Sequence, residues 1–437
     1  MINEFKPILM RNFNTNNLES EGLYKAMSLS SQEIIARIEK LQLKECGVYS
    51  ESVADKWKKV ISAPNNEEKK LITGFNNIDN SYVSICLLEN DPANVLGGMA
   101  IAGRAVDVLK GILYIPEEKA NLKKVLENKI KEIELYGFEV EFAIGKIDVR
   151  QVEEYDLMHH VDTMASIAAY FDVEEEYIPS RIISVTGAVN KPGIGEIPEN
   201  TNVRAIVEEV SGGFEDEIQA IVLGGQSGRC LAESEAEKTI FENSSTNEII
   251  VLNKKECIVD FAKQGITKMY EGTCGKCTFC REGLYQLKQM ISDATEGKSK
   301  AEDFELIEAI ASEVSEETLC SYGQKSTEFV KTSMQLFKAN YESHIKRKKC
   351  PVDLCGNSQN IAIKGDVCDG CGECMDVCEF DAIEGKSGYI HMIDEFDCTK
   401  CGKCIDICPV SAIVKISGNK SIGPDKLTRV GRWKKRR

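Results

Sequence analysis

The sequence lacks any long hydrophobic run. Its longest apolar stretches are VSICLL at 83–88 and the segment from Val95 to Leu109, which Arg104 and Asp107 interrupt. Both are shorter than the roughly 20 apolar residues that a membrane-spanning helix needs. The N-terminal MINEFKPILMRN also lacks the charged, then apolar, then small-residue order of a secretion signal. We therefore predict a cytoplasmic protein without a membrane segment.

Outside one short C-terminal segment, the chain carries an excess of negative charge. The 437-residue chain has a net charge of −16, although its last twelve residues, KLTRVGRWKKRR, hold seven basic side chains and no acidic one. The rest of the chain therefore carries −23, which disfavours a nucleic-acid-binding protein, because such proteins are usually basic over a whole domain. The basic tail at 418–437 is either a docking element for an acidic partner or a solvated terminus.

Cysteine, in contrast, is abundant, and its spacing indicates metal rather than disulfides. The chain has 18 cysteines, and in a reducing cytosol tight C-x2-C spacing is typical of metal ligands. The segments CDGCGECMDVCEF (368–380) and CTKCGKCIDICPV (398–410) both read C-x2-C-x2-C-x3-C. Zinc would favour pairs of C-x2-C over two runs of four.

This duplicated motif predicts two [4Fe-4S] clusters. In the bacterial two-cluster arrangement, the fourth cysteine of each run ligates the cluster of the other run. The predicted ligand sets are Cys368, Cys371, Cys374 and Cys408 for one cluster, and Cys398, Cys401, Cys404 and Cys378 for the other.

A third cysteine motif stands earlier in the chain. The stretch GTCGKCTFCREG places Cys274, Cys277 and Cys280 at C-x2-C-x2-C, and the next cysteine downstream is Cys320. A [4Fe-4S] cluster needs four thiolates, so Cys320 is the predicted fourth ligand. Zinc is the alternative, but it favours paired ligands over a triplet with one distant partner.

A smaller group of ligands suggests a zinc site. His344, Cys350 and Cys355 form the pattern H-x5-C-x4-C directly after the last predicted bundle helix, and we take Cys257 as the fourth ligand. Three such ligands at this density suit tetrahedral zinc. The alternative is that these side chains are simply buried near a domain junction.

Periodicity divides the chain into domains. After a capped helix in 28–41, predicted strands near 82–88, 112–115 and 139–144 alternate with helices over 94–109 and about 121–133, which indicates a mainly parallel α/β domain. His159 and His160 are interpreted as structural, because adjacent side chains point to different sides of a helix. A small β-sheet domain with one helix follows. Four helical stretches then follow at about 258–272, 282–294, 302–314 and 324–346.

The motifs CGKCTFCREG, LCSYGQ and NYESHIKRKKCP together resemble a known family. They are similar to the flavin-bearing, NADH-oxidising subunit of respiratory complex I. They are still more similar to the related subunit of electron-bifurcating [FeFe]-hydrogenases, which carries an appended two-cluster ferredoxin domain. The resemblance implies an α/β flavin-subunit-like domain at 1–180, a β-grasp domain at 181–255, a four-helix bundle with one cluster at 256–350 and a bacterial ferredoxin-type domain at 351–417. It also allows a structural zinc between bundle and ferredoxin domain.

The chain departs from this family where the cofactors would bind. The family's glycine-rich flavin loop is replaced by LKECGVYSESVADKW (43–57), in which Glu45 and Glu51 stand where glycines would admit a phosphate. The acidic segment is reduced to LLENDPANVLGG (87–98), and the second glycine-rich loop has no counterpart in 144–160. We therefore predict that the chain binds neither FMN nor NAD(P).

These observations predict a non-catalytic electron relay with three [4Fe-4S] clusters and a structural zinc. The resemblance implies a hetero-oligomeric complex of an anaerobe, such as a bifurcating hydrogenase with or without formate dehydrogenase. Its partners would include a flavin-bearing paralogue and ferredoxin. The alternatives are an active FMN-dependent, NAD(P)H-oxidising subunit and a structural bridge in which the clusters carry no electrons.

Overall fold

In a computed structural model the chain divides into two compact units. The first comprises residues 1–254, 261–289 and 306–336, and the second comprises 255–260, 290–305 and 337–437. The structure describes residues 5–15, 17–47, 51–64, 69–74, 82–145, 147, 152–215, 217–241, 246–355, 359–394, 397–417 and 422–434. Within these ranges, no helix is both long and apolar enough to cross a membrane.

The N-terminal region has a parallel sheet covered by helices. Its strands are β1 (Leu71–Gly74), β2 (Lys110–Ile115), β3 (Glu139–Ile144) and β4 (Leu157–His160). Its helices are α1 (Glu21–Met27), α2 (Ser31–Leu41), α3 (Val53–Ile61), α4 (Tyr82–Asn90), α5 (Pro92–Val106), α6 (Asn121–Lys129) and α7 (Val161–Val173). The strand order is β3-β2-β1-β4, and all neighbouring strands are parallel. The predicted parallel α/β layer is confirmed.

Helix α2 begins where its capping signal predicts. The Ser30 hydroxyl accepts the N–H of Glu33, and the Glu33 carboxylate accepts the N–H of Ser30 in return. Two donors that the first turn would leave unpaired are thereby satisfied. Ile34 and Ile38 on the apolar face are fully buried, so the cap and the core fix the same helix.

The strand predicted at 82–88 is wrong, because this segment is part of helix α4. Helix α4 packs against α5 and α7. The run VSICLL is apolar on all sides, so its periodicity does not distinguish a buried strand from a buried helix.

His159 and His160 also end a strand rather than lying on a helix. Their side chains still point apart, because successive residues of a strand face opposite sides.

The next region is a five-stranded mixed sheet with one helix, as the sequence predicts. It contains β5 (Ser180–Gly187), β6 (Gly193–Pro198), α8 (Val203–Ser211), β7 (Ile218–Leu223), β8 (Arg229–Leu231) and β9 (Glu248–Asn253). The order is β6-β5-β9-β7-β8, with β5 and β9 parallel and the other pairs antiparallel. Ile206 and Val207 of α8 belong to the core of this sheet.

Helices dominate the residues from 258 to 345. They are α9 (Ile258–Gly272), α10 (Thr278–Glu296), α11 (Asp303–Glu317), α12 (Ser321–Lys325), α13 (Glu328–Leu336) and α14 (Lys338–Ile345). The helix predicted over 324–346 is thus interrupted twice. At the first interruption the Ser326 hydroxyl donates to the Gly323 carbonyl and the Thr327 hydroxyl to the Ala311 carbonyl. Such side-chain bonds to the backbone compete with a continuous helix.

The cysteine-dense region forms a small domain in which a strand near its start pairs with a strand near its end. Its elements are β10 (Gln359–Ile363), α15 (Glu373–Asp376), β11 (Ile383–Glu384), β12 (Tyr389–Ile390), β13 (Met392–Ile393), α16 (Lys403–Ile407), β14 (Ile413–Ser417) and β15 (Thr428–Arg429). Strands β10 and β14 pair antiparallel, as do β11 and β13. Each four-cysteine run contains one short helix, α15 or α16.

The described part of the basic tail is folded onto this domain. Strand β15 pairs with β12, and the Arg429 guanidinium donates to the Tyr389 hydroxyl at 3.2 Å. Trp433 packs against the core of the domain, and a Cβ atom on Gly365 would lie 2.8 Å from its indole ring. Residues 428–433 are therefore part of the domain rather than a solvated terminus.

Candidate metal centres

The third cysteine motif and Cys320 come together at the ends of two helices. Cys280 lies in the first turn of α10, and Cys320 is the N-cap residue of α12. Burial raises the pKa of the Cys280 thiol, and the neighbouring Cys320, Cys274 and Cys277 raise it further. The other three thiols therefore lie close to Cys280, and four such thiolates are the ligand set that a [4Fe-4S] cluster would use.

Apolar side chains next to these ligands are exposed. Leu319, which precedes Cys320, is 90% exposed, and Phe279, between Cys277 and Cys280, is 49% exposed. Large apolar side chains at the surface often mark interaction sites. The surface beside this candidate cluster is therefore suited to contact with another protein.

The ferredoxin-type domain brings the two cysteine runs together. Cys404 interacts electrostatically with Cys398 and Cys401 of its own run and with Cys378 of the first run. The two runs therefore approach each other, and the crossed ligation of the two clusters stays a prediction. Cys374 interacts with Cys368 and Cys371 of its own run and also with Cys404 of the second run, while the Cys408 sulfur accepts the N–H of Ala412 at 3.3 Å. The placement of Cys408 on the other cluster stays a prediction.

The two runs repeat the same backbone turn. Gly372 and Gly402 both have positive φ, 97° and 84°, immediately before α15 and α16. Gly370 has a φ of 75°, and Lys400 at the equivalent position has a φ of 58°. The left-handed backbone conformation costs a lysine roughly 1 kcal/mol relative to glycine. The second run therefore keeps the same turn despite the cost of the larger side chain.

One residue of this domain was missed by the sequence analysis. His391 is buried, and its Nδ1 lies 3.8 Å from the sulfur of Cys368. Its Nε2 is buried without a hydrogen-bond partner among the described residues. A single histidine between β12 and β13 carries no ligand spacing, so only the fold reveals it. Hydrogen bonds to ligand sulfurs tune the potential of an iron–sulfur cluster.

The four residues assigned to zinc converge on one point. Cys257, His344, Cys350 and Cys355 are all buried, and their ligand atoms lie within 4.8 Å of one another. The Cys257 sulfur is 3.3 Å from Nε2 of His344 and 3.4 Å from the sulfur of Cys355. Nδ1 of His344 lies 2.7 Å from the carbonyl oxygen of Asn340, which leaves Nε2 facing the thiols. Metal-bound histidines typically have such a partner.

The spacing fits a single ion. Tetrahedral zinc with bonds of about 2.3 Å to sulfur and about 2.05 Å to nitrogen separates a sulfur–nitrogen pair by about 3.6 Å and two sulfurs by about 3.8 Å. The observed distances are slightly shorter, while a disulfide would need about 2.05 Å. Burial lowers the pKa of His344, but hydrogen bonds with Cys257 and Cys350 outweigh it and raise the pKa to about 10. Positive charge is thus favoured within the group.

The segment that replaces the family's flavin loop surrounds one buried carboxylate. Glu45 is 2% exposed. Its Oε2 accepts from Lys56 Nζ at 2.9 Å and from His159 Nδ1 at 2.6 Å. Its Oε1 accepts the N–H of His160 at 2.8 Å and the hydroxyl proton of Thr163. These four donors are thus directed at a side chain of the chain itself.

These donors form an anion site at the N-terminus of helix α7. Backbone N–H groups at such a position, together with a lysine, typically hold phosphate. Trp57 donates to Nε2 of His159 at 2.8 Å, so the ring proton of His159 lies on Nδ1 and faces Glu45. Burial lowers the pKa of His159, so Lys56 is the cation that balances the carboxylate. The Glu45 carboxylate therefore accepts the hydrogen bonds that a phosphate would need at this position. Its negative charge would also repel a phosphate.

The space beside this loop is small. The cavity lined by Gly47, Ser84, His160, Asp162 and Asn247 has a volume of about 10 Å³. That is room for about one water molecule, whereas cofactor pockets span roughly 300–1,000 Å³. Glu51 is exposed, and its carbonyl accepts the N–H of Glu45 at 2.7 Å. Residues 48–50 of the loop lie outside the described residues.

Comparisons with known protein families match both cysteine regions. Residues 260–344 match the NADH-ubiquinone oxidoreductase-F iron-sulfur binding region, and residues 367–413 match the 4Fe-4S dicluster domain. The chain is a homologue of the F subunits of NADH-quinone oxidoreductase with an added dicluster domain. The resemblance inferred from the motifs is thus confirmed, and the homologue is an iron–sulfur redox subunit.

Full-length relatives support this relationship. The NADP-reducing hydrogenase subunit HndC of Solidesulfovibrio fructosivorans is 25% identical over 85% of this chain and 88% of its own. The F 2 subunit of NADH-quinone oxidoreductase in Rhizobium meliloti is 21% identical over 79% of this F-subunit homologue and 99% of its own length. In fold, the chain is similar to the NAD+-reducing [NiFe]-hydrogenase in its H2-reduced state, with a TM-score of 0.68 and 18% identity over 79% of this chain and 68% of that one.

Proposed function

We propose that this F-subunit homologue is a non-catalytic electron relay that carries three [4Fe-4S] clusters and one structural zinc. The observation that carries the proposal is the contrast between intact thiol groups and an anion site occupied by Glu45. The clusters perform the redox chemistry, and the protein sets their positions and surroundings. Cys274, Cys277, Cys280 and Cys320 would hold the first cluster, and the ferredoxin-type domain would hold the other two.

The chain would work within a larger cytoplasmic complex. The exposed Leu319 and Phe279 neighbour the ligands proposed for the first cluster, where a partner subunit would exchange electrons with it. HndC belongs to an NADP-reducing hydrogenase by name, and we propose an electron-bifurcating hydrogenase of an anaerobe, with or without formate dehydrogenase. A paralogous subunit would hold the flavin, and this chain would extend the electron path.

Metal and flavin analysis of the purified chain tests the proposal. We expect about twelve irons, about one zinc and no FMN per chain. NADH and NADPH should leave the visible spectrum unchanged, while a reductant near −400 mV, about the potential of plant-type ferredoxins, should bleach it. One FMN per chain, together with bleaching by NADH or NADPH, would establish the alternative of an active flavoenzyme. Clusters that such a reductant leaves oxidised would instead favour the structural bridge.

Replacing Glu45 with alanine should destabilise the chain strongly. The change leaves Lys56 and the N-terminus of α7 without their buried counter-charge, and breaking such a pair costs about 3 kcal/mol or more. Burial would raise the pKa of Glu45, but Lys56 and His159 hold it well below its usual 4.5. The stabilisation is therefore present above pH about 4.5 and is lost as the pH falls toward the folded-state pKa.

Denaturant unfolding of the two proteins measures this difference. The gap in unfolding free energy between wild type and Glu45→Ala should shrink in acid. The matched control is Glu51→Ala, which removes an exposed carboxylate from the same segment and should change stability by less than about 0.5 kcal/mol. Equal effects of the two substitutions would show that Glu45 has no special role.

A further inference from the structure

A larger cavity lies beside the same loop. It has a volume of about 580 Å³, and Lys44 and Cys46 line it, whereas the intervening Glu45 does not. Other parts of its wall come from the end of α2 and the residues after it, from the segment that leads into β5, from the turn at Glu199 and Asn200, and from Lys325 at the end of α12. The remaining lining residues are Ser166, Ile240 and Phe241. All these residues belong to the first unit.

The size of this cavity suits a small organic ligand. Pockets that hold such ligands and cofactors span roughly 300–1,000 Å³. The cavity beside Gly47, in contrast, holds about 10 Å³. The segment that replaces the family's flavin loop therefore borders a second space, which is of ligand size.

Positive charge dominates the lining. Lys44, Arg181 and Lys325 supply three cations, and the one carboxylate among the lining residues is Glu199, which accepts from Nε and from Nη2 of Arg181 at 3.2 Å. Burial lowers the pKa of Lys325, and repulsion from Arg181 and Lys44 lowers it further against the attraction of Glu328. Cations held this close around a cavity attract an anion into it.

We propose that this cavity binds a phosphate-bearing anion of about mononucleotide size. A guanidinium and two ammonium groups match the charge and the oxygen geometry of a phosphate ester. The remaining volume accommodates its organic part, and the Gln42 and Asn200 amides offer polar groups to orient it. Cys320 is the N-cap residue of the helix that carries Lys325, so the ligand would lie along the element that carries one proposed ligand of the first cluster. The inference does not rest on the relay function.

Calorimetric titration of the full, cluster-loaded chain with AMP and with inorganic pyrophosphate tests this site. We expect saturable binding of AMP at one per chain, and weaker binding at high salt. Lys325→Met and Lys44→Met should each weaken binding about tenfold, the loss expected when one charged contact worth about 1.4 kcal/mol disappears. Lys110→Met, an exposed lysine on β2 paired with Glu141, is the matched control and should bind as the wild type does.

Three results would overturn the inference. These are the absence of saturable binding of both probes at millimolar concentration, equal binding by all three variants, and loss of binding in Lys110→Met as well. Each substituted lysine lies at a cavity wall or at the surface, so we expect all three variants to fold. Unchanged iron content and an unchanged circular dichroism spectrum would show that they do. A parallel titration with FMN separates this site from the relay proposal: FMN that competes with AMP would refute the flavin-free relay and leave an anion site in place.

Discussion

Replacing Cys320 with alanine should remove about four irons of about twelve and leave about eight in the chain. Cys320 caps α12 next to the triplet at the start of α10, and it contributes to the raised pKa of Cys280. Three thiolates do not complete the coordination of a [4Fe-4S] cluster, so this cluster should be lost or become labile. Iron analysis and electron paramagnetic resonance of the reduced protein measure the change.

The control for this substitution is Cys230→Ala. Cys230 is a buried thiol on β8 in the same unit, and burial raises its pKa to about 12, as expected for a core residue. Its replacement removes one buried sulfur from a sheet without touching a candidate ligand, so iron should stay at about twelve. Full iron content in Cys320→Ala, or iron loss in both variants, would refute Cys320 as the fourth ligand.

Replacing Cys257 with serine should release the zinc and leave all the iron bound. Cys257 and Cys355 are 98 residues apart in the sequence, and the proposed ion would tie these distant segments together. Zinc at 1,000 times its Kd stabilises a fold by about 4 kcal/mol, and most of that contribution should vanish. Zinc analysis and thermal unfolding of the purified variant measure both effects.

The matched control for this second substitution is Cys86→Ser. Cys86 is a half-buried thiol in α4, next to the Asn90 amide, and it belongs to the first unit, whereas the four proposed ligands belong to the second. The same chemical change there should leave the zinc bound. If the wild type contains no zinc, or if Cys257→Ser keeps it, the four residues are a buried cluster of the kind that the alternative interpretation describes.

The groups of candidate metal ligands could be predicted because their spacing is local. The short spacing of Cys274, Cys277 and Cys280 is enough to predict that they lie close together. The repetition of one four-cysteine pattern likewise predicts that the two runs act as a pair. Cys257 has no motif, but it was one of few unassigned cysteines, and the fold places it against His344. Such local patterns predict the position of these residues well because the residues lie on turns or at helix ends, where neighbours in sequence stay close in space.

Other features depend on tertiary contacts that the sequence does not encode locally. The apolar run at 83–88 has no period, so its helix α4 is decided by packing against α5 and α7. The direction of the Glu45 side chain depends on donors more than 100 residues away, at His159 and His160. The pairing of the basic tail with β12 likewise joins segments that are 40 residues apart.

The inward carboxylate of Glu45 has a consequence for the biogenesis of the chain. In a flavoprotein, an anion site of this kind lacks its counter-ion until the cofactor binds. Here the counter-ion is a side chain of the same polypeptide, since Glu45 reaches Lys56 and the start of α7 as soon as the domain folds. If the relay proposal holds, maturation of this subunit would then depend on the cell's supply of iron, sulfide and zinc and not on its supply of riboflavin.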